Sequence, residues 1–384
     1  MIARQILPEA KHALTQFRAL CITGPRQSGK TTLSKLLAKN KPYVNFENPS
    51  VQYDAELNPQ AFLKQYKGGA ILDEVQRVPV IFRYLQGILD ESRTRGQFIL
   101  TGSNNFLLQE QVSQSLAGRA GYLSLLPLSY AELVNAKLDE PDVNNHILTG
   151  GYPEIWNEKL VADTWLKSYV QTYVQRDVRL IRNISNMALF TRFISLCAAH
   201  AGQILNRDEL ARQTGVDTKT VLAWLGLLEN SYIIFLLQPW YNNLNKRIVK
   251  SPKLYFYDTG LLCHLLGIKS QTSLKKHRHY GFLFENWIIS EVKKNRFNDG
   301  QPENLYYFRD NVGNEVDLIT ERNGDSFAIE IKASLAVKPA MLHGLNFWQK
   351  YQPTGHSVLL YAGKKNEIVN ERLGIIPWTE VANL

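Results

Sequence analysis

Short apolar runs and helical patterns alternate along the first third of the chain. The run Leu20-Cys21-Ile22 is followed by Leu33, Leu36 and Leu37, spaced as one face of a helix. Ala70-Ile71-Leu72 and Gln97-Phe98-Ile99-Leu100 are further strand-like runs. This alternation over residues 1–135 predicts an α/β fold, a doubly wound parallel sheet built from βα units. Asp139-Glu140-Pro141-Asp142 and Gly150-Gly151-Tyr152-Pro153 interrupt it. Residues 136–199 then read as a helical, lid-like region.

Between 200 and 268 the pattern changes again. Asn206 precedes a helix as its cap, with Glu209 three residues on, and Gly215 ends it. Asp217 caps a second helix, whose stripe is Val221, Leu222, Trp224, Leu225 and Leu228. Two β-rich runs, 232–237 and 253–257, flank a polar connection. Helix, glycine turn, helix and hairpin together predict a winged helix-turn-helix. Residues 269–280 (KSQTSLKKHRHY) are polar and basic and read as a linker. A second α/β segment fills 281–384. No internal repeat or low-complexity tract is visible.

Composition is that of an ordinary globular chain, 45% hydrophobic and 21% charged, which excludes wholesale disorder. No apolar run approaches the ~18 residues of a membrane span, so no membrane partner is expected. The first residues, MIARQILPEAKHAL, lack the basic-then-apolar pattern of a secretory leader. Cys21, Cys197 and Cys263 are isolated in apolar settings, which excludes a CxxC metal pair and a disulfide framework. A cytoplasmic setting is expected.

Net charge is +9, and it is uneven. Residues 200–280 hold eleven Lys and Arg against five Asp and Glu, a net +6. Such clustering suits a phosphate backbone, DNA more than RNA, although a solvated basic surface has the same composition. On the DNA reading, Thr218, Lys219 and Thr220 would meet the groove and Lys246, Arg247 and Lys250 would grip phosphates. The second helix offers one basic side chain, so a structural or protein-docking role stays open.

The strongest chemical signal is Gly24-Pro25-Arg26-Gln27-Ser28-Gly29-Lys30-Thr31, which matches GxxxxGK[ST] between a strand and a helix. Its glycines let backbone N–H groups wrap phosphates, and the following helix adds its positive end. Arg26, Gln27, Ser28 and Thr32 line the same loop. Lys30 is expected to reach the β and γ phosphates of ATP, and Thr31 to ligate Mg²⁺. Ala70 to Leu72 end in Asp73-Glu74, a second acidic motif. Asp73 would hold the Mg²⁺ and Glu74 would polarise the attacking water. At the end of the next strand, Thr101, Ser103 or Asn104 would sense the γ phosphate. Arg119 would stabilise transition-state charge, in cis or on a neighbouring subunit of a homo-oligomer, or serve as a surface arginine.

The set GPRQSGKTTL, AILDEVQRVP, ILTGSNN, SLAGR and LLPLSYAEL resembles prokaryotic AAA-superfamily ATPases that carry an uncharacterised C-terminal domain. The likeness continues through GGYPEI, YVQTYVQRDV, KSPKLYFYDTG and EVDLI…IEIK, nearly the whole chain. It implies ATP binding and hydrolysis. It also places Arg176 and Arg179 in a family-like helical block.

Near the C-terminus, Asn323-Gly324 signals a two-residue hairpin. Centring the turn there pairs Leu318 with Ile329 and Thr320 with Phe327 on an apolar face. The other face pairs Asp317 with Glu330, and Glu315 with Lys332. Like charges directly opposite destabilise a sheet, and a divalent cation or protonation would relieve them. Glu285, in a helical pattern upstream, supplies a third acid. Glu285, Asp317, Glu330 and Lys332 resemble the PD-(D/E)xK nuclease core, with Val316 in place of its proline. The resemblance implies a restriction-endonuclease-like domain with a possible metal site. It leaves nuclease activity open.

Overall fold

The computed structural model describes residues 2–103, 108, 112, 114–174, 186–240, 251–322 and 324–384. It divides into two units. One comprises Met1–Leu128, Asn230–Tyr232 and Arg296–Gln301, the other Ser129–Glu229, Ile233–Asn295 and Pro302–Leu384.

The first unit is organised by five strands: β1 (Ala19–Thr23), β2 (Tyr43–Asn45), β3 (Ala70–Asp73), β4 (Phe98–Gly102) and β5 (Ala120–Ser124). They stand in the order β2-β3-β4-β1-β5, all parallel. Interior parallel strands are covered on both faces, which is why β1, β3 and β4 are continuous buried runs with no polar alternation. On one face Cys21, Leu72 and Leu100 pack with Phe82, Leu85 and Leu89 of helix α1 (Ile81–Glu91). On the other, Leu20, Ile22, Ile71 and Ile99 pack with Leu33. Because β4 lies between β1 and β3, Thr23, Asp73 and Gly102 finish side by side at the carboxyl end of the sheet, where α/β folds place their ligand sites.

The second unit contains the helix pair α2 (Arg207–Thr214) and α3 (Thr218–Asn230), although the last residue of α3 is grouped with the first unit. Its ends follow the sequence signals. Asn206 accepts the Glu209 N–H at 3.0 Å, and Gly215 ends α2 in the left-handed region at φ 86°. Beyond them run β6 (Ile234–Pro239), β7 (Lys253–Phe256), the buried helix α4 (Tyr280–Asn298, grouped with the first unit from Arg296 on), β8 (Leu305–Arg309), β9 (Glu315–Arg322), β10 (Asp325–Lys332), helix α5 (His343–Tyr351), β11 (His356–Tyr361), β12 (Glu367–Asn370) and β13 (Leu373–Pro377). These strands form one sheet in the order β12-β13-β11-β10-β9-β8-β6-β7.

The two expected β-rich runs pair antiparallel as β6 and β7, and β6 also pairs with β8 at Gln238–Tyr306 and Pro239–Tyr307, while the connection expected as a wing lies outside the described residues. An unpaired strand edge is costly to leave open, and β8 covers this one. Residues 200–268 and 281–384 therefore share a sheet. The stretch expected as a linker holds a helix, Gln271–Lys275, capped by Ser270 and anchored by buried Leu274. Its one apolar anchor is outvoted by polar neighbours when composition alone is read.

The carboxyl-end hairpin has the expected register, from Arg322–Asp325 through Thr320–Phe327 to Leu318–Ile329. Both of its faces are buried, however. Val316, Ile319 and Ala328 pack with Leu345 and Trp348 of α5. Gly344 of α5 lies so close that a Cβ there would come 2.1 Å from the Glu315 carbonyl oxygen. The GGYP and YDTG motifs meet in the same unit. Asp258 accepts the N–H groups of Gly151 (2.7 Å) and Leu261 (2.9 Å), and its carboxylate fills the space a Cβ on Gly150 would need. Among the described residues, no helix is long and apolar enough to cross a membrane.

Candidate functional site

The loop after β1 is shaped by backbone that few residues adopt. A Cβ on Gly24 would lie 2.1 Å from the Leu125 carbonyl oxygen, so only glycine fits at the entry. Gln27 and Gly29 have φ values of 63° and 94°, which curl the loop before the helix Lys30–Leu37 begins. Lys30 is buried and turns back under the loop, donating to the carbonyl oxygens of Gly24 (3.0 Å) and Pro25 (2.8 Å). Ser28 is fully buried, and its hydroxyl has no hydrogen-bond partner among the described residues. Arg26 reaches Glu47 at 3.1 Å, Gln27 is exposed on the loop, and Thr32 is exposed on the first turn of the helix.

Asp73 ends β3 beside this loop and accepts three hydroxyls: Thr31 at 2.9 Å, Tyr43 at 2.5 Å, and Thr101. Burial, and next the hydrogen bond to Asp73, push the Tyr43 hydroxyl well above its ordinary pKa, so it remains a donor. Glu74 sits in the left-handed region at φ 55°, which turns its side chain toward β4. There it accepts the Ser103 hydroxyl at 3.0 Å and the Gln76 amide at 2.6 Å. The small polar residues after β4 thus divide their work: Thr101 holds Asp73 and Ser103 holds Glu74. Asn104 lies outside the described residues.

These residues fit a magnesium nucleotide by their donor set. A buried ammonium, a hydroxyl without a partner and a curled glycine loop suit phosphates, and the Thr31 hydroxyl beside a carboxylate suits Mg²⁺.

Arg119 does not join them. Its carbonyl accepts the N–H groups of Arg18 and Ala19, at the amino end of β1. Five strand residues, roughly 15 Å, separate that end from the loop. Its guanidinium forms a bidentate pair with Asp90, at 2.6 and 2.8 Å. The expected in-cis contact with nucleotide is therefore corrected. The local motif SLAGR does not reveal at which end of the sheet its arginine emerges.

Sequence reading missed two residues of this site. Tyr43 lies on a three-residue strand with no motif. Arg4, far upstream, donates to the carbonyl oxygens of Ser28 and Leu126, both at 2.7 Å. Neither has a local signal, since each reaches the loop only through the fold.

In the second unit, Glu285, Asp317, Glu330 and Lys332 do converge, but with lysines between the acids. Lys253 of β7 lies 3.3 Å from Glu285 and 2.6 Å from Glu315. Tyr255 also donates to Glu285. Lys332 lies 2.5 Å from Glu330 and 3.4 Å from Asp317, which also takes the Ile331 N–H at 2.8 Å. Burial pushes Glu285 up to about 7, opposed by Lys253 and reinforced by Asp317. Burial and then the charge of Asp317 push Glu330 up to about 8. Burial alone would depress Lys253, but the surrounding carboxylates overcome it and hold it above its ordinary value. No group of three or more His, Cys, Asp or Glu among the described residues is placed to hold a metal ion. Of the two expected ways of relieving Asp317 and Glu330, the raised pKa of Glu330 favours protonation, and the Lys332 ammonium bridges both groups. Lys253 was not foreseen because it comes from the hairpin expected to be a separate wing.

Of the expected nucleic-acid contacts, Thr218 gives its hydroxyl to Asp208 (3.0 Å) and Thr220 to Asp217 (2.9 Å), which leaves Lys219 exposed between them. Lys246, Arg247 and Lys250, like Arg176 and Arg179, lie outside the described residues.

Residues 16–134 match the model of an AAA domain, which supports an AAA-type, ATP-binding P-loop domain there. Residues 140–272 and 280–381 match two domains of unknown function (DUF8612 and DUF4143). An uncharacterized protein of Haemophilus influenzae is 24% identical over 302 residues, covering 71% of this chain and 73% of that one. Among solved structures, the Walker-type ATPase paby2304 of Pyrococcus abyssi aligns with 69% of this chain and 96% of its own, at a TM-score of 0.44 and 16% identity. The uncharacterized protein Rv2008c of Mycobacterium tuberculosis is 31% identical over 333 residues, covering 86% of this chain and 73% of that protein. At that identity and coverage, the chain belongs to the same family as Rv2008c.

Proposed function

We propose that the chain is a Mg²⁺-dependent ATPase. One observation carries this reading. The loop ammonium of Lys30, the Thr31–Asp73 pair, and Glu74 held by Ser103 gather at the carboxyl ends of three neighbouring parallel strands. The backbone N–H groups of Arg26 to Thr32 and the Lys30 ammonium would hold the phosphates. Thr31 and Asp73 would hold Mg²⁺, which would neutralise phosphate charge when bound. Glu74 orients and polarises the attacking water once it exchanges Ser103 and Gln76 for that water. Substituting Glu74→Gln should abolish turnover while ATP binding persists. Wild-type turnover in that variant would overturn the assignment of Glu74.

For the second unit the reading is a binding module that responds to the nucleotide. The net +6 over residues 200–280 and the exposed Lys219 support a nucleic-acid partner held through its phosphates. With the Thr218 and Thr220 hydroxyls already engaged, base reading at this helix is not part of the proposal. Binding to duplex DNA should weaken steeply with salt. Binding that ignores salt, or is absent, would favour a nucleotide-dependent protein-docking switch. Strand cleavage is not expected either, because Lys253, which the nuclease-like motif does not include, already pairs with Glu285 and Glu315. Metal-dependent cleavage that disappears in both Asp317→Ala and Lys332→Ala would reverse that conclusion.

A further inference from the structure

Contacts from distant parts of the sequence fix the entry to the P-loop. Thr23 is the last residue of β1 and is buried, Gly24 rests against the Leu125 carbonyl, and Ser124 ends β5. At this seam the Tyr232 hydroxyl lies 2.7 Å from the Thr23 hydroxyl and 3.1 Å from that of Ser124. The Thr23 and Ser124 hydroxyls are 3.3 Å apart, which closes a ring of three.

Tyr232 is buried, and its φ of 56° is one that bulky side chains rarely adopt. A residue keeps such a backbone only where its surroundings over-determine it. In sequence it stands between the end of α3 and the start of β6. Asn230–Tyr232 nonetheless group with the first unit, whereas the residues on either side group with the second.

We propose that Tyr232 is a positioning residue for the nucleotide site. Its hydroxyl ties the ends of β1 and β5 together and so fixes where the P-loop begins. Preorganising a loop lowers the cost of ordering it around a ligand, so losing the tie should appear as weaker ATP binding. This inference rests on the nucleotide reading above.

The test is Mg·ATP affinity by equilibrium binding, together with steady-state kinetics. The proteins are wild type, Lys30→Ala, Tyr232→Phe, Thr23→Val and the double variant Tyr232→Phe/Thr23→Val. Removing the Tyr232 hydroxyl, with its contacts to Thr23 and Ser124, should raise Kd and KM in Tyr232→Phe about three- to tenfold, with kcat within about twofold. The double variant should be no worse than its weaker-binding parent, since both changes break one ring. A role in folding alone would lower the active fraction, reducing kcat at unchanged KM, and that pattern overturns the proposal. So does a Tyr232→Phe affinity equal to wild type. If Tyr232→Phe does not fold, Ser124→Ala and Thr23→Val report on the same ring, and wild-type affinity in both is equally fatal. Wild type that binds ATP no better than Lys30→Ala overturns the nucleotide reading itself, a result distinct from the others.

Discussion

Each unit of this chain gathers acidic side chains in a buried place, and the two satisfy them by different means. At the P-loop, Asp73 and Glu74 are met by hydroxyl and amide donors: Thr31, Tyr43, Thr101, Ser103 and Gln76. Neutral donors orient a carboxylate without cancelling its charge, so a divalent cation still finds a negative site. In the sheet of the second unit, Glu285, Glu315, Asp317 and Glu330 are met by Lys253 and Lys332. Fixed ammonium groups cancel charge, and a metal would have to displace them. The first arrangement surrounds its acids with neutral donors, and the second sets lysines among them.

This contrast can be broken most severely at Lys30. Replacing it by Ala should reduce ATP turnover by ~100-fold or more, as loss of a charge aimed at the transferred phosphoryl does. Steady-state hydrolysis with Mg²⁺ measures it.

The next largest effect belongs to the second site. Lys253→Met leaves buried carboxylates without their counter-charge and should cost about 3–5 kcal/mol in denaturant unfolding. The double variant Lys253→Met/Glu285→Leu should recover much of that loss. An unaltered unfolding midpoint in Lys253→Met would mean that the lysine is not what balances the acids.

A smaller effect concerns pH. Glu330 has its pKa pushed from 4.5 up to about 8 in the folded chain. Between those values the folded state keeps a proton that the unfolded chain has released. Stability should therefore fall as pH rises from about 5 to about 8 and level off above, the sign expected wherever the native state binds more protons. Glu330→Gln, which cannot ionise, should flatten the melting temperature across that range. The same slope in wild type and variant would assign the pH dependence elsewhere.

The smallest effect is expected at Arg119. Its exposed pair with Asp90 lies at the far end of β1, and Arg119→Ala should leave ATP hydrolysis within about twofold. A loss near the arginine-finger range of ~10³ would instead show that Arg119 acts across a subunit boundary.

What could be read from the sequence divides along similar lines. The P-loop, the Asp73-Glu74 strand end and the Asn323-Gly324 hairpin are local. Their chemistry and spacing lie within a few residues, and the observed register of β9 and β10 is the one the turn requires. Pairings over long separations were not legible. Tyr43 reaches Asp73 across neighbouring strands, Lys253 reaches Glu285 because β6 joins the sheet of β8, and Tyr232 reaches Thr23 from 209 residues away. The acids of the second site and Lys332 were recognised but Lys253 was not, because a sequence pattern shows which residues share a face and not which lysine arrives from another strand.

The measurement that bears most directly on the contrast is Mg·ATP hydrolysis by purified wild type and Lys30→Ala, assayed side by side. Turnover in wild type and its loss in Lys30→Ala is the expected result. Equal rates in the two proteins, or none in wild type, would contradict a working nucleotide site at the P-loop.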